Sequence, residues 1–211
     1  MTNKEIIDIA MQQSAYDLNA KVSDFLMDTN VIVKSEIGPL AKKYYEEPIA
    51  CNFISYGNNI VASVKEEYRE IVERYLSKYE FYHCFETPNM HWFDERMKEN
   101  GYRICFMAEY FLPDVNVLKR RECNYQLKVL EQKDFADLYL PTWSNALCEG
   151  RKQLDILGVG AYDNGKLIGL AACSADCDDM WQIGVDVLPE YRRQGIASSL
   201  TSNLAIEIMD R

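Results

Sequence analysis

The residues best suited to chemistry lie in PEYRRQGIASSL, Pro189–Leu200, where Arg192 and Arg193 are followed by Gln194, Gly195, Ile196 and the small residues Ala197 and Ser198. The strand-forming run Met180–Val187 precedes them, and Ile196, Ala197, Leu200, Leu204 and Ile208 then stripe one face of a helix. A strand feeding an Arg/Gly loop and then a helix is an anion-binding arrangement. The first amides of a helix have no internal acceptor, and the helix dipole favours negative charge there. Gly195 lets the backbone come close to a phosphate, and the small side chains after it do not block the approach. Arg192 and Arg193 add charge and forked donors. The chemistry these residues predict is capture of a pyrophosphate.

Other phosphate-binding patterns do not fit. The loop lacks the G-x-x-x-x-G-K-[ST] of a P-loop. GVGAYD (Gly158–Asp163) lacks the third glycine of a dinucleotide fingerprint and sits in a hairpin strand rather than at a strand-to-helix turn. The 211-residue chain carries 23 basic and 33 acidic residues, a net charge of −10. A nucleic-acid binder would show a basic face, so no nucleic-acid partner is expected. A local arginine pair still acts at short range, because salt screens charges beyond about 8–10 Å. No apolar run approaches the roughly 20 residues that span a bilayer, and the N-terminus lacks the apolar core of a signal peptide. The expectation is a soluble, cytoplasmic protein without a membrane partner. The seven cysteines are odd in number and irregularly spaced, and only His83 and His91 could join them, so they read as buried reduced thiols with no metal site.

The elements that must position the loop follow from periodicity. Thr2 with Glu5 fits a capping box, and Ile6, Ile7, Ala10, Met11 and Leu18 share a helical face. Residues 24–47 show no clear period. Ile49–Tyr56 reads as a strand, Tyr68–Leu76 as a helix, Glu80–Phe85 as a strand, and Thr87 to Gly101 as a helix with proline in its first turn. Tyr102–Leu112 reads as a long strand, so Tyr82 and Tyr102 are expected to pack within a sheet. The polar stretch 114–123 marks a boundary between an N-terminal α/β domain, 1–120, and a C-terminal domain, 121–211. In the latter, Tyr125–Leu130 reads as a strand and 131–140 as a helix. Leu157–Tyr162 and Leu167–Ser174 read as strands joined at Asn164-Gly165, a hairpin signal.

VDVLPEYRRQGIASSL, Val185–Leu200, resembles the acetyl-CoA-binding motif of the GNAT superfamily of N-acetyltransferases, V-x-V-x-P-x-Y-R followed by the Arg/Gln-x-x-Gly-x-Gly/Ala turn. The hairpin and strand before it stand in that family's order, and the resemblance covers residues 125–211. It implies an α/β fold with a mixed sheet, a GNAT-type acyl-CoA N-acyltransferase core. It also implies that the Val185–Asp186–Val187 backbone pairs with the pantetheine arm and that amides from Arg193 to Ser198 hold the pyrophosphate of acetyl-CoA. A strand amide near Val187 would polarise the acetyl carbonyl. The implied reaction is direct attack by a primary amine, small or on a peptide, on acetyl-CoA in a ternary complex. An alkyl amine of pKa near 10.4 is about one part in a thousand neutral at pH 7, so a base is needed. Candidates are Asp179, Glu149 and Asp186, although strand alternation sends Asp186 to the face opposite the valines.

The chain ends at Arg211 inside the motif helix, so by this resemblance the core reads as cut short at its C-terminus. Either residues 49–112 complete the sheet in a permuted order, or they belong to a degenerate half of a tandem GNAT. A catalytically inactive CoA-binding or regulatory module is the alternative to an enzyme. The acidic composition would suit a cationic amine, and an exposed strand edge could be completed by a second copy in a homodimer.

Overall fold

The computed structural model describes residues 1–211 and divides into two compact units, residues 4–112 and residues 113–211 together with Met1–Asn3. No helix is long and apolar enough to cross a membrane.

In the N-terminal unit, helix α1 (Asn3–Leu18) buries Ile6, Ala10, Gln13 and Asp17, one residue per turn. Ile7, expected on that face, is exposed. Strands β1 (Val31–Lys34), β2 (Cys51–Ile54) and β3 (Val61–Val64) form a small sheet in the order β1-β3-β2, with β3 parallel to β1 and antiparallel to β2. Strand β3 is buried at every residue, so its sequence shows no alternation, and nothing short of its two neighbours identifies it as a strand. Helix α2 (Arg69–Lys78) lays Val72, Tyr75 and Leu76 on this sheet, and α3 (Thr87–Lys98) adds Phe93 and Met97 to the same core.

Two expected strands are absent. Residues 80–85 form a short 3-10 turn, Phe81–His83. The buried Tyr75 hydroxyl donates to the Cys84 carbonyl, and the Asn89 side chain donates to the His83 carbonyl at 2.9 Å, so side chains take the acceptors a ladder would use. Residues 102–112 form no strand either. Asp94 fixes their start by accepting from the Ile104 amide at 2.7 Å and pairing with Arg103 at 2.8 Å, but beyond Ile104 the residues are exposed, Phe111 to 89%. Apolar character cannot make a strand without a partner backbone. Tyr102 instead meets Tyr68 edge to face at 5.3 Å, and Tyr82 is exposed. Residues 49–112 therefore contribute no strand to the C-terminal sheet, contrary to the permuted arrangement.

The C-terminal unit is built on an antiparallel sheet of β4 (Gln126–Glu131), β5 (Asp155–Asp163), β6 (Lys166–Ser174) and β7 (Gln182–Val187), in that order. The β5–β6 hairpin turns on Asn164 and Gly165, both at positive φ, +48° and +85°, as a type I′ turn requires. Helix α4 (Ile196–Met209) covers one face, burying Ile196, Leu200 and Leu204 against Leu157, Val159 and Ile168. Truncating a buried leucine of this kind to alanine costs about 2–5 kcal/mol. Residues 119–121 strap α4 from outside: Arg120 pairs with Glu207 at 2.7 Å, and the Arg121 carbonyl accepts from Ser199 at 2.8 Å and Asn203 at 3.0 Å.

The other face is covered by Phe135, Trp143, Ala146 and Leu147. The helix expected at 131–140 is reduced to a 3-10 turn, Gln132–Asp134. The Asp134 carboxylate accepts from the Glu131 amide at 2.9 Å, a capping contact that starts the turn, but the chain does not continue it as a helix beyond Phe135. Phe135 then drops onto the sheet at Gly158, where a Cβ would lie 3.2 Å from its ring.

Residues 144–147 cross the same face at β7. A Cβ on Gly184 would stand 1.8 Å from the Asn145 carbonyl oxygen. Gly184→Ala is therefore expected to destabilise the C-terminal unit by about 1–3 kcal/mol through backbone displacement, checked by urea denaturation followed at tryptophan fluorescence.

None of the seven cysteines is in a disulfide, but only Cys84, Cys173 and Cys177 are buried, while Cys105 is exposed and the others are half-buried, which corrects the expectation of buried thiols at four of the seven. Burial pushes the Cys51 and Cys173 thiols up to about 12 and Cys84 up to about 11. At pH 8 these three stay neutral, and the neutral thiol is a poor nucleophile. Brief alkylation of the native protein, read by peptide mass spectrometry, should label Cys105 first and these three only on unfolding. Labelling of Cys173 as fast as Cys105 would contradict this.

Candidate functional site

The loop from β7 to α4 runs through a 3-10 turn, Pro189–Tyr191, an extended Arg192, then Arg193 at φ +63° and Gly195 at φ +80°. Two left-handed residues within three turn the chain sharply into the helix, and such backbone is rare for an arginine. The first helical bond of α4 is donated by the Ser199 amide to the Gly195 carbonyl at 3.0 Å. The amides of Ile196, Ala197 and Ser198 therefore lie ahead of any helical acceptor. They face a depression of about 220 Å³.

Neighbouring side chains hold this loop. The Arg192 Nε donates to the Val187 carbonyl at 3.0 Å. Tyr125 donates to the Gln194 Oε1 at 2.9 Å, and Tyr191 donates to Asp163 at 2.9 Å, the two rings meeting edge to face. An exposed Lys166–Glu190 pair at 3.2 Å adds little.

Strand β7 is the last of its sheet. The Leu188 amide donates to the Ile168 carbonyl at 2.9 Å, on the β6 side. Antiparallel bonding alternates, so Gly184 and Asp186 also face β6, and the amides and carbonyls of Ile183, Val185 and Val187 point to the open edge. That edge begins at the 220 Å³ depression, of which Val187 is one wall.

A second, polar cavity of about 150 Å³ lies at the other end of β7, against Gln182 and Gly184. Residues 144–148 and Arg151 form one wall, and Asp155, Ser174 and Asp176 the other. Asp155 is 1% exposed, and its carboxylate accepts from the Cys148 amide at 2.9 Å, Ser174 Oγ at 2.8 Å and Tyr139 at 3.2 Å. Burial and the adjacent carboxylate hold the Tyr139 phenol above its ordinary pKa. Arg151 pairs with the buried Asp176 at 3.2 Å, and its Nε lies 3.4 Å from Cys148 Sγ.

Of the ten residues the motif assigns to the cofactor, Val187, Arg192, Arg193, Gly195, Ile196, Ala197 and Ser198 line the larger depression. Val185 packs toward α4, although its backbone faces the open edge. Gln194 is tied to Tyr125. Asp186 points to the far face, where its carboxylate accepts from the Asn145 amide and side chain at 2.9 and 2.6 Å and the Ala146 amide at 3.0 Å. Neither Asp179 nor Glu149 borders the polar cavity; both are exposed, and Glu149 pairs with Lys152 at 3.5 Å. The carboxylates that do line it are Asp155 and Asp176. The signal available for them was an acidic residue set in an apolar run, since a carboxylate buried there must be partnered. On α3, His91, Asp94 and Glu95 bring donor atoms within 4.8 Å of one another, but Asp94 is already taken by Arg103 and Ile104.

Residues 119–210 match the acetyltransferase (GNAT) family. This part of the chain is therefore similar to the GNAT acetyltransferases, a family that moves an acyl group from acyl-CoA to an amine. Among solved structures, one similar chain is a GCN5-related N-acetyltransferase-like protein from Streptococcus suis 89/1591, at 22% identity and a TM-score of 0.35, covering 41% of this chain and 37% of that one. Another is the ribosomal-protein-alanine N-acetyltransferase from Brucella melitensis biovar Abortus 2308, also at 22% identity, with a TM-score of 0.30, covering 41% of this chain and 72% of that one. The chain thus spans little more than a third of the first of these structures. No curated protein matches it.

Proposed function

We propose that the chain is an N-acetyltransferase that carries the acetyl group of acetyl-CoA to a primary amine by direct attack. The observation that carries this reading is the left-handed Arg193–Gly195 turn, which aims the unpaired amides of Ile196, Ala197 and Ser198 into a depression flanked by two arginines. A pyrophosphate bound there leaves the pantetheine arm to run along the open edge of β7, its amide groups pairing with the backbones of Val187 and Val185 as an added strand would. From Val187 to Gln182 the strand covers about 17 Å, on the order of the extended arm. The thioester then comes to the polar cavity beside Gly184.

There the amine nitrogen bonds to the acetyl carbonyl carbon, the carbon–sulfur bond breaks, and CoA leaves as the thiol. The proton released by the ammonium passes to Asp176 or to water. An edge amide of β7 stabilises the charge that gathers on the carbonyl oxygen. Asp155, with three donors on its carboxylate, positions the cavity wall rather than the substrate.

The test is thiol release from acetyl-CoA in the presence of a broad panel of primary amines. Turnover with at least one amine is expected. Saturable acetyl-CoA binding with no turnover on any amine would favour the inactive binding module instead.

A further inference from the structure

We propose that the polar cavity beside β7 selects a small zwitterionic acceptor, a free α-amino acid, through the Arg151–Asp176 pair on its wall. The proposal rests on the reading above, because it names the acceptor of that reaction. The cavity of about 150 Å³ is well below the 300–1,000 Å³ that drug-sized ligands occupy. It has room for an ammonium, a carboxylate and a short side chain.

Its charge is what narrows the class. Asp176 is 3% exposed, and its Oδ1 stands 3.2 Å from the Arg151 guanidinium, so the wall presents both signs side by side, while the lining's other carboxylate, Asp155, is already engaged by the Cys148 amide, Ser174 and Tyr139. An ammonium without a carboxylate gains from Asp176 but is repelled by Arg151 at nearly the same distance. A lone carboxylate meets the reverse. A ligand carrying both charges on one carbon can lie head to tail against the pair, so that each charge faces its opposite. The neutral side chains of Ser144, Ser174 and Gln182 complete a lining that suits a polar ligand. A site for a polycation would present carboxylates without a basic partner. Here Asp176 has Arg151, and Asp155 spends its oxygens on three neutral donors of the wall itself. The cavity reaches Gly184 on β7, which brings an ammonium held by Asp176 to the strand whose edge would carry the thioester.

The experiment compares L-alanine with ethylamine, propionate and L-alanine amide on the unaltered chain. Ligand binding is read by saturation-transfer NMR without acetyl-CoA, and kcat/KM is read by thiol release with it. L-Alanine is expected to bind, and its kcat/KM is expected to exceed those of ethylamine and alanine amide at least tenfold. Arg151→Gln should lower the ratio of kcat/KM for alanine to kcat/KM for ethylamine, and Arg151→Lys should restore part of that ratio. Equal performance of ethylamine or alanine amide would overturn the proposal, since the carboxylate would then go unread. If acetyl-CoA binds but no amine turns over, the transferase reading fails, while the NMR comparison still decides which ligand the cavity takes. Propionate binding as tightly as alanine would exclude a role for the ammonium and overturn it as well.

Discussion

Gly195→Glu is expected to lower acetyl-CoA affinity at least a hundredfold while leaving the fold intact. Gly195 sits at φ +80°, and a Cβ built on it meets nothing within 4 Å. The space above it is where a bound phosphate would lie, so a glutamate there fills the depression with a like charge. Part of the loss is conformational, because a side chain in the left-handed region costs about 1–2 kcal/mol. Gly195→Ala carries that strain without the charge and should lose tenfold or less. The difference between the two variants measures the filling of the depression and its charge together, and a hundredfold corresponds to about 2.7 kcal/mol. Calorimetric titration with acetyl-CoA, alongside circular dichroism, measures both. Parent-like binding by a folded Gly195→Glu chain would remove the phosphate from this loop.

The second large effect falls on stability. Asp155→Ala removes the acceptor of three donors, the Cys148 amide, the Ser174 hydroxyl and the Tyr139 hydroxyl, at a position 1% exposed. Each donor left buried without a partner costs about 1–3 kcal/mol, and the expected sum is about 3–5 kcal/mol. Asp155→Asn keeps the shape and one acceptor oxygen and should cost less. The same bonds hold Cys148 to β5, so the cavity wall should loosen together with the fold. Urea denaturation compares the three proteins. A change below about 1 kcal/mol for the alanine variant would mean that the carboxylate is not the anchor its bonds suggest.

What could be read from the sequence divides along physical lines. The Asn164-Gly165 hairpin, the strand ahead of Pro189 and helix α4 were legible because their signals are local: two residues suited to positive φ, and an apolar period of a helix. The Arg192–Ser198 turn was legible for the same reason. Alternation also foretold that Asp186 points away from the valines, though not that Asn145 and Ala146 lie there to receive it. Strands fared worse because pairing is non-local. Tyr102–Leu112 has every residue type a strand wants and no partner, whereas Val61–Val64 is only four residues long and lies between two partners. The stretch 131–140 has helical spacing and a cap at its start, but Phe135 is drawn onto the sheet and the turn ends there. The polar cavity could not be read at all from spacing, because residues 144–151, Asp155, Asp176 and Gly184 meet only when three strands and a crossing loop are assembled.

The most direct test of acyl-CoA capture at this loop and strand edge is amide hydrogen exchange with and without acetyl-CoA, resolved residue by residue by NMR. Protection is expected at Ile196, Ala197 and Ser198 and at the edge amides of Val185 and Val187, with residues 4–112 unchanged. Binding that protects none of these amides, or that protects the N-terminal unit instead, would contradict the site.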